Sequence, residues 1–320
     1  FGTCNYPHVN QDDMDFMRIK LYDTVNVMVS GLTPPAERPM TVMDPTLCGE
    51  CHADIASQWH VAGHSHIDAD PFSHYDWAAS NRASCRRCHS GFGFVDFAAG
   101  VPEAQQRGNL RVVDCLVCHS THGTLQSEEL LRIYDDVSIP NTPPLTLTGL
   151  GAGATCVACH NGRRQPPIPN TPGITTIHYL SGGVMLEGIN GVTFGNTSLT
   201  NSAHTEQVSC VGCHMAASPV SGAGAGKVGG HTYNLKVNDP EDPDYGFENV
   251  ANACQSCHAG LTTITRTARG DYDGDGSIEG VQDETTGLME LVEAQIVGKG
   301  AVRLSSNPYW QIGICSGGPR

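Results

Sequence analysis

Cys48-Gly49-Glu50-Cys51-His52 decides how this chain is built, because the same pattern returns five times. The other copies are Cys85-Arg86-Arg87-Cys88-His89, Cys115-Leu116-Val117-Cys118-His119, Cys156-Val157-Ala158-Cys159-His160, Cys210-Val211-Gly212-Cys213-His214 and Cys254-Gln255-Ser256-Cys257-His258. In Cys-x-x-Cys-His the two thiols add across the vinyl groups of a haem, and the adjoining imidazole ligates its iron. The two-residue spacer matches the thiols to the vinyls and leaves the next residue over the metal. One copy alone also fits a redox Cys-x-x-Cys or half a zinc site. Six copies, each ending in His and together using 12 of 14 cysteines, point to six haem c groups.

Six haems over 320 residues leave about 53 residues for each, too few for a separate protein core around every cofactor. The predicted fold is therefore mostly irregular, with short α-helices and few short strands, the polypeptide wrapped around a chain of covalently bound haems. Aromatics at 6%, with 37 Gly and 19 Pro, suit turns rather than long elements. The motif starts are 37, 30, 41, 54 and 44 residues apart, which argues against a tandem repeat and for one continuous wrapping. No domain boundary stands out. One unit over 1–320 is expected: an N-terminal arm (1–47), a haem-binding region (48–260), then an acidic loop, helix and tail (261–320).

Helices are expected at Asp12–Tyr22, at Asp54–Gly63 with Asp54 as cap, and at Val281–Val297. In the last of these, Val281, Leu288, Leu291, Val292 and Ile296 form an apolar stripe. The prolines of Thr33–Pro45, Pro140–Pro144 and Gln165–Pro172 exclude regular helix or central strand. Residues 174–200 read as turns and short strands, and Gly222–Gly230 as a flexible loop.

Charge narrows the partners. With 33 Asp+Glu against 18 Lys+Arg, the chain is a poor match for nucleic acid or an anionic membrane surface. It suits soluble cationic redox proteins, metal ions or mineral acceptors. Charged residues make up only 16%, which leaves uncharged surface to bury between subunits. No apolar run is long enough to span a bilayer. The chain opens on Phe1 rather than Met, which reads as a mature terminus after signal removal. Haem c attachment takes place outside the cytoplasmic membrane, so an extracellular, cell-surface or periplasmic address follows. Cys4 and Cys315 lie outside the motifs; in an oxidising compartment they form a disulfide, with an intersubunit bridge or free thiols as alternatives.

Closing both faces of each iron requires six further ligands. The motifs supply His52, His89, His119, His160, His214 and His258, leaving His8, His60, His64, His66, His74, His122, His178, His204 and His231. His122 follows His119 too closely to cross to the far face of the same haem, so it must reach a neighbour. His204 and His231 sit close in sequence to motifs, and His178 stands alone in a Thr/Ile-rich stretch. His60, His64, His66 and His74 crowd one interval, so some of them are surplus.

Asp271-Tyr272-Asp273-Gly274-Asp275-Gly276-Ser277 has the Asp-x-Asp-x-Asp-Gly start of a calcium loop. Gln282 stands where the usual bidentate Glu would be. The expected ligands are Asp271, Asp273, Asp275 and the Ser277 carbonyl, completed by Asp283 or Glu284, with a solvated acidic turn as the alternative.

Trp59-His60-Val61-Ala62-Gly63-His64, Phe72-Ser73-His74-Tyr75-Asp76 and Cys88-His89-Ser90-Gly91-Phe92-Gly93-Phe94-Val95-Asp96-Phe97 resemble segments of multihaem cytochromes from the extracellular electron-transfer systems of metal-reducing bacteria. The acidic loop is similar too, and the likeness runs roughly over 48–297. It implies that His64 and His74 are distal ligands, with His60 and His66 outside the coordination. The expected distal set is then His64, His74, His122, His178, His204 and His231. The resemblance also implies electron transport at or beyond the cell surface, in some relatives through haem-lined filaments built head to tail.

The competing expectation is a multihaem reductase of a small oxyanion with one open haem. Such enzymes mark the catalytic haem with an altered motif, for example Lys for His, whereas all six motifs here end in His. Oxyanions also favour a basic pocket, and Arg163-Arg164 more naturally pairs with propionates. A gas or redox sensor would need an output domain that the chain lacks.

Overall fold

The computed structural model describes residues 48–50, 52–120, 130–140, 144–163, 181–189, 202–305 and 310–312. It is mostly irregular, with short helices and few short strands. Two compact units, Phe1–Ala253 and Cys254–Arg320, divide the chain immediately before the sixth motif.

In the first unit the attachment turns are the core. Val117, a spacer of the third motif, and Val157 and Ala158, the spacers of the fourth, pack with Phe94, Val137, Ile139, Leu147, Ala154 and Val184. Burying each Val, Ile or Leu contributes about 1.5–3 kcal/mol, so packing at the spacers also fixes the thiols beside them. Strand Val137–Ile139 pairs antiparallel with Leu145–Leu147, Val137 opposite Leu147 and Ile139 opposite Leu145. The strands stop at Ile139 and resume at Leu145, as the prolines between them require. Residues 141–143 lie outside the described residues.

Helix Gly91–Ala98 begins at Ser90, whose hydroxyl accepts the Gly93 amide and donates to the Asn109 carbonyl. Asp96 on its far end holds Arg107 through a two-pronged ion pair. The expected helix at 54–63 is shorter and starts earlier, spanning Ala53–His60. His52 occupies the cap position because its amide still belongs to the first motif, bonded to the Cys48 carbonyl at 2.9 Å. Asp54 sits in the first turn, where it complements the helix dipole, and Gly63–Ser65 forms a separate 3₁₀ turn.

Two other expectations need correction. Within 174–200, residues Gly182–Leu186 form a short helix that buries Val184. Gly183 is required there, because a Cβ would press on the His160 carbonyl and the Val157 methyls. The Gly222–Gly230 segment is an anchored turn: the Gly224 amide donates to Asp244, the Gly226 amide to Ser218, and Lys227 pairs with Asp242 and Asp244. Side-chain acceptors outside the glycine run, invisible to composition, hold it.

The second unit carries the sixth motif, the acidic loop, helix Val281–Gly298 and the hairpin Ala301–Arg303 with Trp310–Ile312. The helix falls where expected, but its apolar stripe does not face a core. Val281, Leu288, Leu291, Val292 and Ile296 are all exposed, and the buried side chain on this helix is Glu284. The expected helix at 12–22 and the run 165–172 lie outside the described residues.

Candidate haem-attachment sites

Each described motif closes a single helical turn. The amides of His52, His119, His160 and His258 bond to the carbonyls of Cys48, Cys115, Cys156 and Cys254 at 2.9, 2.8, 2.9 and 2.8 Å. This i to i+4 bond stacks the ligand His one turn above the first thiol, as the attachment chemistry needs. At the third motif Asp114 caps the turn, accepting the Leu116 amide at 3.0 Å, while Arg111 pairs with its carboxylate. Burial pushes the Asp114 carboxyl up, and the Arg111 guanidinium opposes it. Cys51 lies outside the described residues.

Three histidines from outside the motifs face three motif histidines. The ring centres are 6.1 Å apart for His64 and His160, 6.3 Å for His74 and His89, and 6.2 Å for His119 and His231. Two imidazoles opposed across one metal, each with a metal–nitrogen bond of about 2 Å and half a ring beyond it, put their centres roughly 6 Å apart. The residues therefore fit haem iron with both axial positions filled.

Local structure holds each ring. His64 rides on the Gly63–Ser65 turn, locked by Ser65 Oγ donating to the Ala62 carbonyl, with Tyr233 edge-on at 4.9 Å. His74 lies against the Trp77 edge at 5.1 Å, and the Trp77 indole, fixed by its bond to the Phe72 carbonyl, stacks on His89 at 4.2 Å. His231 sits in Gly230–Thr232, its amide bonded to Gln58 Oε1 at 2.9 Å. Nδ1 of His89 faces the Pro71 carbonyl and that of His214 the Tyr233 carbonyl at 2.9 Å. An Nδ1 proton donated to a carbonyl leaves Nε2 free for metal.

Electrostatics favour the ligand form of these rings. Burial, helped by His160, pushes His64 down to about 4. Burial and then His214 lower His160; burial, then His119 and His52, lower His231. Neutral imidazole binds metal; imidazolium does not.

The remaining histidines and cysteines singled out in the sequence are placed as follows. His204 lies on the exposed helix Ala203–Gln207. His60 and His66 are exposed, with Trp59 the ring neighbour of His60. His122, His178, His8, Cys4 and Cys315 lie outside the described residues. Arg163 donates to Ser84 Oγ at 2.7 Å.

Two residues that the sequence reading passed over are prominent. Arg86 and Arg87, the spacers of the second motif, are both buried and spend their donors on backbone carbonyls. The available signal was two adjacent cations inside an attachment turn of a charge-poor chain.

In the second unit the acidic loop is tightly self-bonded. Asp271 accepts the Gly274 and Gly276 amides at 2.6 and 2.9 Å, Asp273 accepts Asp275 at 3.2 Å, and Asp275 accepts Ser277 at 2.7 Å. Carboxylate oxygens of Asp271, Asp273 and Asp275 all lie within 4.8 Å of one another. Gly276, at φ 98°, adopts the left-handed turn that the sixth position of a calcium loop needs. Glu284 turns both oxygens toward backbone amides, of Glu279 at 3.0 Å and of Tyr272 at 2.7 Å. Those amide bonds hold its carboxyl below the usual range.

Repeated Cys-x-x-Cys-His turns with further imidazoles near their histidines are the residues that a multihaem c-type cytochrome uses to hold its cofactors. Consistent with that class, the chain is 24% identical over 312 residues to the C-type polyheme cytochrome OmcB of two Geobacter sulfurreducens strains, DL-1/KN400 and PCA. The alignment covers 80% of this chain and 38% of that protein, so the chain spans well under half the relative's length. No family model and no solved structure matches the chain. No described helix is long and apolar enough to cross a membrane.

Proposed function

We propose that the chain is an electron carrier, passing single electrons along six c-type haems whose irons are each held by two histidines. Bound haem supplies the one-electron iron couple. The observation that supports this most is the set of three histidine pairs with ring centres 6.1 to 6.3 Å apart, which would hold a haem iron from both sides and leave no position for a substrate. Distal His64 serves the fourth motif, His74 the second and His231 the third; His122, His178 and His204 are the proposed ligands for the rest. Carbon monoxide added to the reduced protein tests the reading: an unchanged spectrum is expected, whereas a ligand-binding fraction would favour an oxyanion reductase.

The proposed address is extracellular or at the cell surface, with redox proteins or external acceptors as partners. We also propose head-to-tail assembly into a chain, supported by the low charge density and the long segment ahead of the first motif. Contacts of this kind that do not close into a ring generate filaments. Electron microscopy of the native protein should show them; only discrete monomers would remove this part of the proposal.

The acidic loop is proposed to bind one calcium ion through Asp271, Asp273, Asp275 and the Ser277 carbonyl, with Glu284 completing the site from the helix. Calcium there joins the loop to helix Val281–Gly298, so its role is stability. A chelator is expected to lower the melting temperature and release about one calcium per chain, since a bound ion stabilises by mass action. An unchanged melting curve, with no calcium found on metal analysis, would contradict this.

A further inference from the structure

Motifs two and four lie far apart in sequence, yet their spacers interlock. Arg87 Nε and Nη2 both donate to the Ala158 carbonyl, at 3.1 and 2.6 Å, and Nη2 also reaches the Ser138 carbonyl at 3.1 Å. The guanidinium lies over the Phe97 ring at 3.8 Å. The sulfurs also approach the opposite turn: Cys159 Sγ lies 3.5 Å from the Arg87 carbonyl oxygen and Cys88 Sγ 3.9 Å from the Ala158 carbonyl oxygen, a closeness that survives when the thiols become haem thioethers. Each attachment turn thus presents its second cysteine to the other's spacer, with a buried cation between them.

We propose that Arg87 fastens motifs two and four into one two-cofactor unit and that its buried charge raises the reduction potential at both sites. This rests on the haem reading above. Adding an electron to either site lowers the local charge by one, which a nearby cation favours. Burial keeps that influence from being screened by water. Arginine stays protonated throughout, so the effect does not depend on its titration. Arg87 is a positioning residue: it touches the attachment turns, not the metal.

The test is a potentiometric titration of the native holoprotein beside Arg87→Met and Arg87→Lys, with haem number fixed first by intact mass. In Arg87→Met two of the six couples should move to lower potential while four stay, and Arg87→Lys should bring both back toward native. A shift at one couple or none, with six haems attached, overturns the proposal, as does the same shift in Arg87→Lys. A native protein without haem at motif two or four overturns the reading beneath it. If Arg87→Met does not mature, a density map of the native holoprotein decides: the iron held by His89 should have the iron held by His160 as its nearest neighbour. A nearer iron on His52 or His119 refutes the pairing.

Discussion

Replacing His64, His74 or His231 with Ala is expected to convert one haem in six from low spin to high spin and open it to carbon monoxide. Each ring lies 6.1 to 6.3 Å, centre to centre, from a motif histidine: His64 from His160, His74 from His89 and His231 from His119. His60→Ala and His66→Ala should leave the spectrum unchanged, because both residues are exposed. Electron paramagnetic resonance of the ferric variants reads the outcome. If His60→Ala or His66→Ala produced the high-spin signal and His64→Ala did not, the pairing with His160 would be wrong.

Gly93→Ala should be a strongly damaging single-methyl substitution in the first unit. A Cβ at 93 would overlap the Arg86 carbonyl and crowd the Arg107 carbonyl, both of them backbone. Arg86 is itself pinned by bonds to the Trp77, Ala78, Ala79 and Gln106 carbonyls, so it has little room to retreat. Overpacking of this kind costs about 1–3 kcal/mol or more, a large share of a total stability of roughly 5–15 kcal/mol. The expected result is a lower melting temperature with loss of haem at the second motif. Gly182→Ala is the control, since nothing lies within 4 Å of its Cβ position. A native melting curve for Gly93→Ala would show that helix Gly91–Ala98 can shift away from the second motif.

The Cys-x-x-Cys-His turns were legible because the pattern is local: five consecutive residues carry two thiols and one imidazole. The irregular fold followed from how little chain each cofactor is given. Which distal histidine serves which motif was not legible. His64 meets His160 and His231 meets His119 across long stretches of sequence, a matter of packing rather than spacing. The stripe on Val281–Gly298 misled because helical periodicity shows only that apolar residues share a face, not that anything covers it. Glu284 is expected as a metal ligand from its charge and its place at the start of the helix. Its burial among backbone amides depends on how the loop folds back over the helix start. Arg86 and Arg87 escaped notice because a spacer position carries no requirement of its own. Only the carbonyls converging on them explain two cations there.

The most direct test of the account is the low-temperature electron paramagnetic resonance spectrum of the fully ferric native protein, quantified against its haem content. The account predicts six low-spin haems and no high-spin signal. A stoichiometric high-spin signal from even one haem would contradict six closed irons and point to a site where a substrate binds.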